Sequence, residues 1–484
     1  MYRESCVVFR FTVYDKRYTI NDLRYTIYDA RSTTNSKPSA VNVRVDFVTL
    51  YTMANTTDQL KVPKKLVIIG GGFGGVNLAL HLKNDPDFNI ILVDKNNYNF
   101  FPPLIYQVAT GFLENSNISY PFRKLFRRYS NIHFRLGELV KVDPGSHTVH
   151  LNNGEITYDY LVFATGAESN YFGMENIRKY AIPMKNVNDA LNMRNTLLQR
   201  LELATIISDQ AERRRLLTIV VAGGGPTGVE VSGMLADLRS HAIPKDYPEL
   251  YGTGANIYLI DGGEHLLAPM SPASQNDTFD ALKKMGVIIK LKTQVKDFVN
   301  DQVILSTGEI IETRNLIWTA GVTAMAFEGI PASSYGRGKR LLCDPFNKVI
   351  GVEDIYAIGD TCMQTHETEY PNGHPQLAQV SIQHAKLLAG NLKKMIENKP
   401  LKAFHYKDLG TMAIIGRNKA VCDLPKHIHF KGFIAWFMWL FVHLMSLISY
   451  RNRIKTLYNW SVAYLNKDQS LRFIVRPKNP DENP

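Results

Sequence analysis

The sequence predicts an α/β protein: two Rossmann-like dinucleotide-binding domains, the first discontinuous and the second inserted within it, plus a C-terminal helical segment that associates with a membrane. Three observations predict this. A buried-type strand runs into a glycine-rich turn twice, at 65–75 and at 217–228. Strands ending in small residues recur at Ala164-Thr165-Gly166 and at Trp318-Thr319-Ala320-Gly321. An apolar stretch, GFIAWFMWLFVHLMSLIS at 432–449, lies between basic residues in a chain of otherwise ordinary composition, 45% apolar and 21% charged. A length of 484 residues exceeds what one hydrophobic core usually serves, which fits several domains.

Taken in order, residues 1–52 contain a brief echo, Arg17-Tyr18-Thr19-Ile20 and Arg24-Tyr25-Thr26-Ile27, too short for a solenoid. They have no signal-peptide core and too many acids for a transit peptide. Met53 opens a polar lead into the first strand, so 1–52 are expected to be an extension without part in function. The strand KLVII then meets Gly70-Gly71-Gly72-Phe73-Gly74-Gly75 and a helix. Gly70, Gly72 and Gly75 match GxGxxG, where absent side chains permit a tight turn, approach of a pyrophosphate to backbone N–H groups, and close helix packing. Asp94 ends the next strand, NIILVD, where a carboxylate can accept from a ribose 2′-OH.

The pattern returns at LTIVVA followed by Gly223-Gly224-Gly225-Pro226-Thr227-Gly228-Val229-Glu230, with Gly223, Gly225 and Gly228 in the motif. Its second strand, ANIYLID, ends in Asp261 after an inserted HAIPKDYPELYGTG. An acid there repels a 2′-phosphate and favours NADH over NADPH, and Glu264 is a rival for the role. Two dinucleotide folds imply two dinucleotides, a held flavin and an exchanging nicotinamide. Asp354-Ile355-Tyr356-Ala357-Ile358-Gly359-Asp360 supplies a Gly-Asp strand end whose carboxylate can take a ribityl hydroxyl while the next helix N-terminus faces the pyrophosphate.

The set GGGFGG, ATG, GGGPTGVE and YAIGD resembles the two-dinucleotide flavoprotein reductases over about residues 64–400. FFPPLIYQVATG (100–111), Ala378-Gln379-Val380-Ser381-Ile382-Gln383 and GTMAIIGRNKAV (410–421) narrow the resemblance to the type II NADH dehydrogenases, single-subunit NADH:quinone oxidoreductases that do not pump protons. The resemblance implies FAD on Gly70, Gly72, Gly75, Asp94, Ala164, Thr165, Gly166, Gly359, Asp360, Ala378 and Gln379, and NADH on Gly223, Gly225, Gly228, Glu230 and Asp261. Glu230 would orient the nicotinamide ring or relay protons; a dipole-favoured acid in a first helical turn is the plainer reading. Gln379 and Gln383, four residues apart, would line a quinone pocket, with an exposed glutamine face as the alternative. Ser381 and Ala385 depart from the family's AQxAxQxG, a change expected to bear on the quinone more than on the flavin. His384, next to Gln383, is expected at the surface, with contact to the flavin as the alternative, and Phe100-Phe101 in the flavin pocket or in a core.

The implied domains are 60–185 with 315–400 for FAD, 186–314 for NADH, and 401–484 for membrane anchoring. Cys343 and Cys362 leave open a sulfide:quinone oxidoreductase-like reading, and a flavin-binding membrane protein without turnover is a third. No CxxC pair or metal-ligand spacing occurs. Of the net charge of +11, residues 426–478 hold nine Lys and Arg against Asp468 alone, which points to anionic lipid and not to nucleic acid. Gly432, Trp436, Trp439, His443, Ser446 and Tyr450 form an interface-loving helical face, with Trp460 and Tyr464 suited to headgroup depth. A spanning helix would carry the basic tail to the far side, so 430–465 is expected to dip into one leaflet on the cytoplasmic face of the cell's inner membrane. A homodimer is compatible with the family.

Overall fold

A computed structural model describes residues 24–27, 41–44, 62–466 and 471–474. The chain divides into two units, Met1–Val62 and Pro63–Pro484. In the first, Arg24–Ile27 pairs antiparallel with Val41–Arg44; the rest of the 1–52 extension, and any bearing it has on function, lies outside the described residues.

In the second unit, one five-stranded parallel sheet runs in the order Ile355–Ala357, Tyr160–Phe163, Lys64–Ile69, Phe88–Asp94, Ile132–Leu136. Leu66, Val67 and Ile68 are fully buried, as a strand covered on both faces requires. A second parallel sheet runs Ile182–Pro183, Asn315–Trp318, Ile219–Ala222, Ile257–Ile260, Val287–Lys290. It sits within the sequence of the first, which closes only with Ile355–Ala357. Both crossing segments pair with the second sheet, so that sheet reaches beyond the 186 and 314 limits read from sequence. Pairing partners decide such a boundary, and local composition does not carry them.

Residues 401–484 are not a membrane anchor throughout. Thr411–Gly416, Lys419–Leu424 and Ile428–Lys431 form an antiparallel sheet laid against the helix Pro226–His241. The approach is so close that a Cβ on Gly233 would sit 1.6 Å from the Ile415 carbonyl oxygen. Helices Gly432–Ser446 and Tyr450–Asn466 follow. The first is 15 residues long. That length gives about 22 Å, short of a hydrocarbon core of about 30 Å. Among the described residues, no helix is long and apolar enough to cross a membrane.

The faces of the first helix differ from the expectation. Trp439 is fully buried and stacks on His443 at 3.8 Å between ring centroids, while Phe433, Phe437 and Phe441 are outward and 57–60% exposed. Trp460 is also buried, donating from Nε1 to Gln107 Oε1 at 2.7 Å. Tryptophans that resemble an interfacial belt instead fill the core between these helices and Tyr106, because a neighbouring apolar surface competes for them. The outward surface is aromatic and aliphatic, continued by Ile454, Leu457, Tyr458 and Leu465 on the second helix.

Candidate active site

Each glycine turn is a cradle set at the carboxyl end of its sheet. Gly70 has φ +104°, and a Cβ there would lie 2.3 Å from the Ala164 carbonyl oxygen; on Gly75 it would lie 1.9 Å from that of Gly70. In the second domain, Gly223 has φ +111°, and a Cβ on Gly228 would lie 1.7 Å from the Gly223 oxygen. Both middle glycines, Gly72 and Gly225, face open space at the helix N-cap, where a pyrophosphate would lie.

The acids at the second strand ends hold these loops. Asp94 accepts from Gly71 N–H through Oδ2 and from Asn96 N–H through Oδ1, both at 2.7 Å. Asp261 accepts from Gly224 N–H and Gly263 N–H, both at 2.6 Å. Each carboxylate oxygen keeps a further lone pair for a ribose hydroxyl. Burial pushes Asp94 above the ordinary carboxylate range, which the two backbone bonds partly offset. Glu264 points away to Lys292, at 2.8 Å on an exposed surface.

A flavin dinucleotide fits the first cradle. Thr165 Oγ1 and Thr361 Oγ1 are buried and find no partner among the described residues. Asp360 is pushed up by desolvation, only partly countered by Lys185 and Arg340. A ligand rich in hydroxyl and phosphate groups would satisfy all three. Gly359 has φ +72°, and Gly166, at φ +68°, faces open space.

The helix Ala378–Ile396 follows, and Gln379 and Gln383 share a face of it. Both amides hold the 407–410 segment. Gln379 accepts from Leu409 N–H at 2.9 Å and donates to the Gly410 carbonyl at 3.2 Å. Gln383 donates to the Lys407 carbonyl at 2.8 Å and accepts from its N–H at 3.0 Å.

Glu230 lies inside the helix Pro226–His241 with the Ile414 backbone N–H against it, and burial drives its carboxyl well above the usual range. Its field reaches Tyr106, whose hydroxyl accepts from Gln107 Nε2 at 2.9 Å. Gln107 in turn accepts from Trp460, so hydrogen bonds lead from beside Glu230 to the C-terminal helices. Sequence reasoning missed Gln107, although it lies inside the quoted YQVATG. Between the helices and this centre is a largely apolar cavity of about 590 Å³, bounded by Gln107, Met234 and Ile414 inside and Phe437, Phe441 and Leu465 outside.

His384 is fully buried, not at the surface. Phe101 is buried and edges Phe73 and His443, which makes it core. Cys343, Cys362 and Cys422 are buried free thiols, and burial beside Cys362 drives the Cys343 thiol well up. Unreactive thiols of this kind do not suit sulfide chemistry.

Residues 64–385 match the family model of the pyridine nucleotide-disulphide oxidoreductases, and 409–473 match the NDH2 C-terminal domain. The chain is 34% identical over 420 residues to type II NADH:quinone oxidoreductase NdhA of Mycobacterium tuberculosis, covering 83% of this chain and 87% of the relative. It is 30% identical over 436 residues to the mitochondrial internal alternative NAD(P)H-ubiquinone oxidoreductase A1 of Arabidopsis thaliana, covering 83% and 84%. NDH2 of Plasmodium falciparum, solved in complex with NADH, shares the fold at a TM-score of 0.78 and 22% identity over 85% of this chain and all of that one.

Proposed function

Because this chain belongs to the type II NADH:quinone oxidoreductases, we propose that its two cradles and the cavity beneath its C-terminal helices form one route from NADH to a lipid-soluble quinone. The protein is an NADH:quinone oxidoreductase of the flavoprotein type that does not pump protons. Bound in the first cradle, FAD supplies the two-electron chemistry that separates NADH oxidation from quinone reduction.

The residues divide the work. Gly70, Gly72 and Gly75 admit the flavin pyrophosphate to the backbone, and Asp94 takes a ribose hydroxyl with its spare lone pairs. Ala164, Thr165 and Gly166 border that cradle, and Gly359, Asp360 and Ala378 meet the ribityl chain and the pyrophosphate. Gly223, Gly225 and Gly228 admit NADH, while Asp261 repels a 2′-phosphate. Glu230, held as the neutral acid, keeps a proton at its carboxyl oxygen beside the nicotinamide site. Gln379 and Gln383 fix the 407–410 segment beside the flavin and quinone; the Gln379 amide nitrogen is shared between the Gly410 carbonyl and Asp408, while Gln383 keeps one N–H for the flavin edge or quinone carbonyl.

Membrane binding belongs to this reading. The outward Phe433, Phe437 and Phe441 enter one leaflet, and Arg451, Arg453 and Lys455 meet anionic headgroups on the cytoplasmic face. The observation that carries the whole is the pairing of two equivalent cradles with an apolar cavity that opens toward an exposed apolar helix pair. The test mixes purified protein with NADH, NADPH and a short-chain quinone, with and without anionic vesicles. NADH should bleach the bound flavin and quinone should restore it. A flavin that NADH leaves oxidised would overturn the reading, and indifference to vesicles would remove its membrane part.

A further inference from the structure

His384 takes part in no step assigned above, yet it is fully buried and touches the segment at which the flavin reading converges. Its Nδ1 lies 3.1 Å from the Gly359 backbone nitrogen, an N–H donor, so Nδ1 is the bare acceptor. Its Nε2 lies 3.1 Å from Gln364 Oε1, whose amide nitrogen donates to the Asp344 carbonyl at 2.7 Å. That chain orients Gln364 with its oxygen toward the ring and fixes the Nε2–H tautomer. One turn earlier on the same helix, Ser381 Oγ stands 2.7 Å from where a Cβ on Gly359 would be. Both residues therefore bear on one glycine in the left-handed region, immediately before Asp360. The Phe404 ring covers the imidazole at 4.1 Å between centroids and His374 edges it at 5.9 Å, leaving water no approach. Burial, with His374, Arg340 and His366 nearby, holds His384 neutral, which is the form that can accept.

We propose that His384 is a positioning residue of the flavin site, its bare Nδ1 fixing the Gly359–Asp360 turn so that the Asp360 carboxylate meets the ribityl chain. The proposal rests on the assignment of Asp360 to FAD. Ser381, which departs from the family pattern, lies beside the same glycine.

The test strips the full-length protein of flavin, rebinds FAD and follows flavin fluorescence for the parent, His384→Leu, His384→Asn and Gln364→Leu. Leucine fills space without an acceptor, whereas Asn can present an oxygen near the Nδ1 position. The FAD dissociation constant should rise about tenfold in His384→Leu, the scale of one unpaired buried N–H. It should return to within about threefold of the parent in His384→Asn and fall between the two in Gln364→Leu, which removes the tautomer lock and the bond to the Asp344 carbonyl but leaves the Nδ1 acceptor in place. A merely structural histidine would lower thermal stability in all three variants and leave FAD affinity alone, and that outcome overturns the proposal, as does an Asn variant no better than Leu. If His384→Leu does not fold, the Asn and Gln364 variants still decide through their affinities. A parent protein that rebinds no FAD would instead bring down the flavin assignment itself, and this proposal with it.

Discussion

The two dinucleotide cradles are near copies with different surroundings. Gly75 and Gly228 press on the carbonyls of Gly70 and Gly223 at 1.9 and 1.7 Å for an ideal Cβ, and Asp94 and Asp261 hold Gly71 and Gly224 at 2.7 and 2.6 Å. The first cradle faces a second arm of the chain, the Gly359–Asp360 turn braced by Ser381 and His384. Among the described residues the second has no such arm; its helix instead carries a buried acid, Glu230, and leans through Gly233 on the C-terminal sheet. On the proposed reading, the first cradle holds a resident ligand and the second an exchanging one.

The largest effects should come from filling the cradles one at a time. Gly75→Ala forces a methyl into the Gly70 carbonyl, and the protein should purify without flavin, read by its absorbance. Gly228→Ala should keep the flavin and lose its bleaching by NADH, read by stopped flow. Equal loss of flavin in both would erase the distinction between resident and exchanging sites.

Next is Glu230→Gln, which mimics the neutral acid but cannot give up a proton. Flavin content should stay at the parent level while NADH:quinone turnover falls by roughly a hundred- to ten-thousandfold, the range for loss of one proton-transfer group. The same change tests the electrostatics. Burial raises the folded-state pKa of Glu230 above its ordinary 4.5, so the folded protein binds that proton more tightly than the unfolded chain. Its contribution is fully present below that value and is lost as pH rises toward the folded-state pKa. Glu230→Gln escapes the loss, so its stability relative to the parent, from urea unfolding, should improve as pH rises above the ordinary carboxyl range.

A smaller change, Asp261→Ser, should lower KM for NADPH by about tenfold and leave NADH within a few-fold, the relief expected from one like-charge contact. The matching Asp94→Ser should weaken flavin retention without altering nucleotide choice. If it instead shifts choice, the assignment of the cradles is reversed.

Both cradles were legible in the sequence because every part of a βαβ turn is local: strand, three glycines, helix, and an acid at the next strand end. What escaped depends on distant partners. His384 reads as one more polar residue on a helix until Gly359, twenty-five positions earlier, is seen to donate to it. The direction of Trp439 is equally hidden, since helical spacing groups it correctly with His443 but cannot say whether that face meets lipid or Tyr106. The sheet within 411–431 is not legible from its residues alone. Its apolar run AII is as compatible with a helix as with a strand.

The hydrogen bond from Trp460 to Gln107 sets a limit on trimming the C-terminus of the enzyme. Deleting the last two helices would strip the cover from Tyr106 and take from Gln107 Oε1 its Trp460 donor. A less apolar exterior is better sought by repainting the outer surface at Phe433, Phe437 and Phe441 with polar residues, leaving the inward tryptophans where they are.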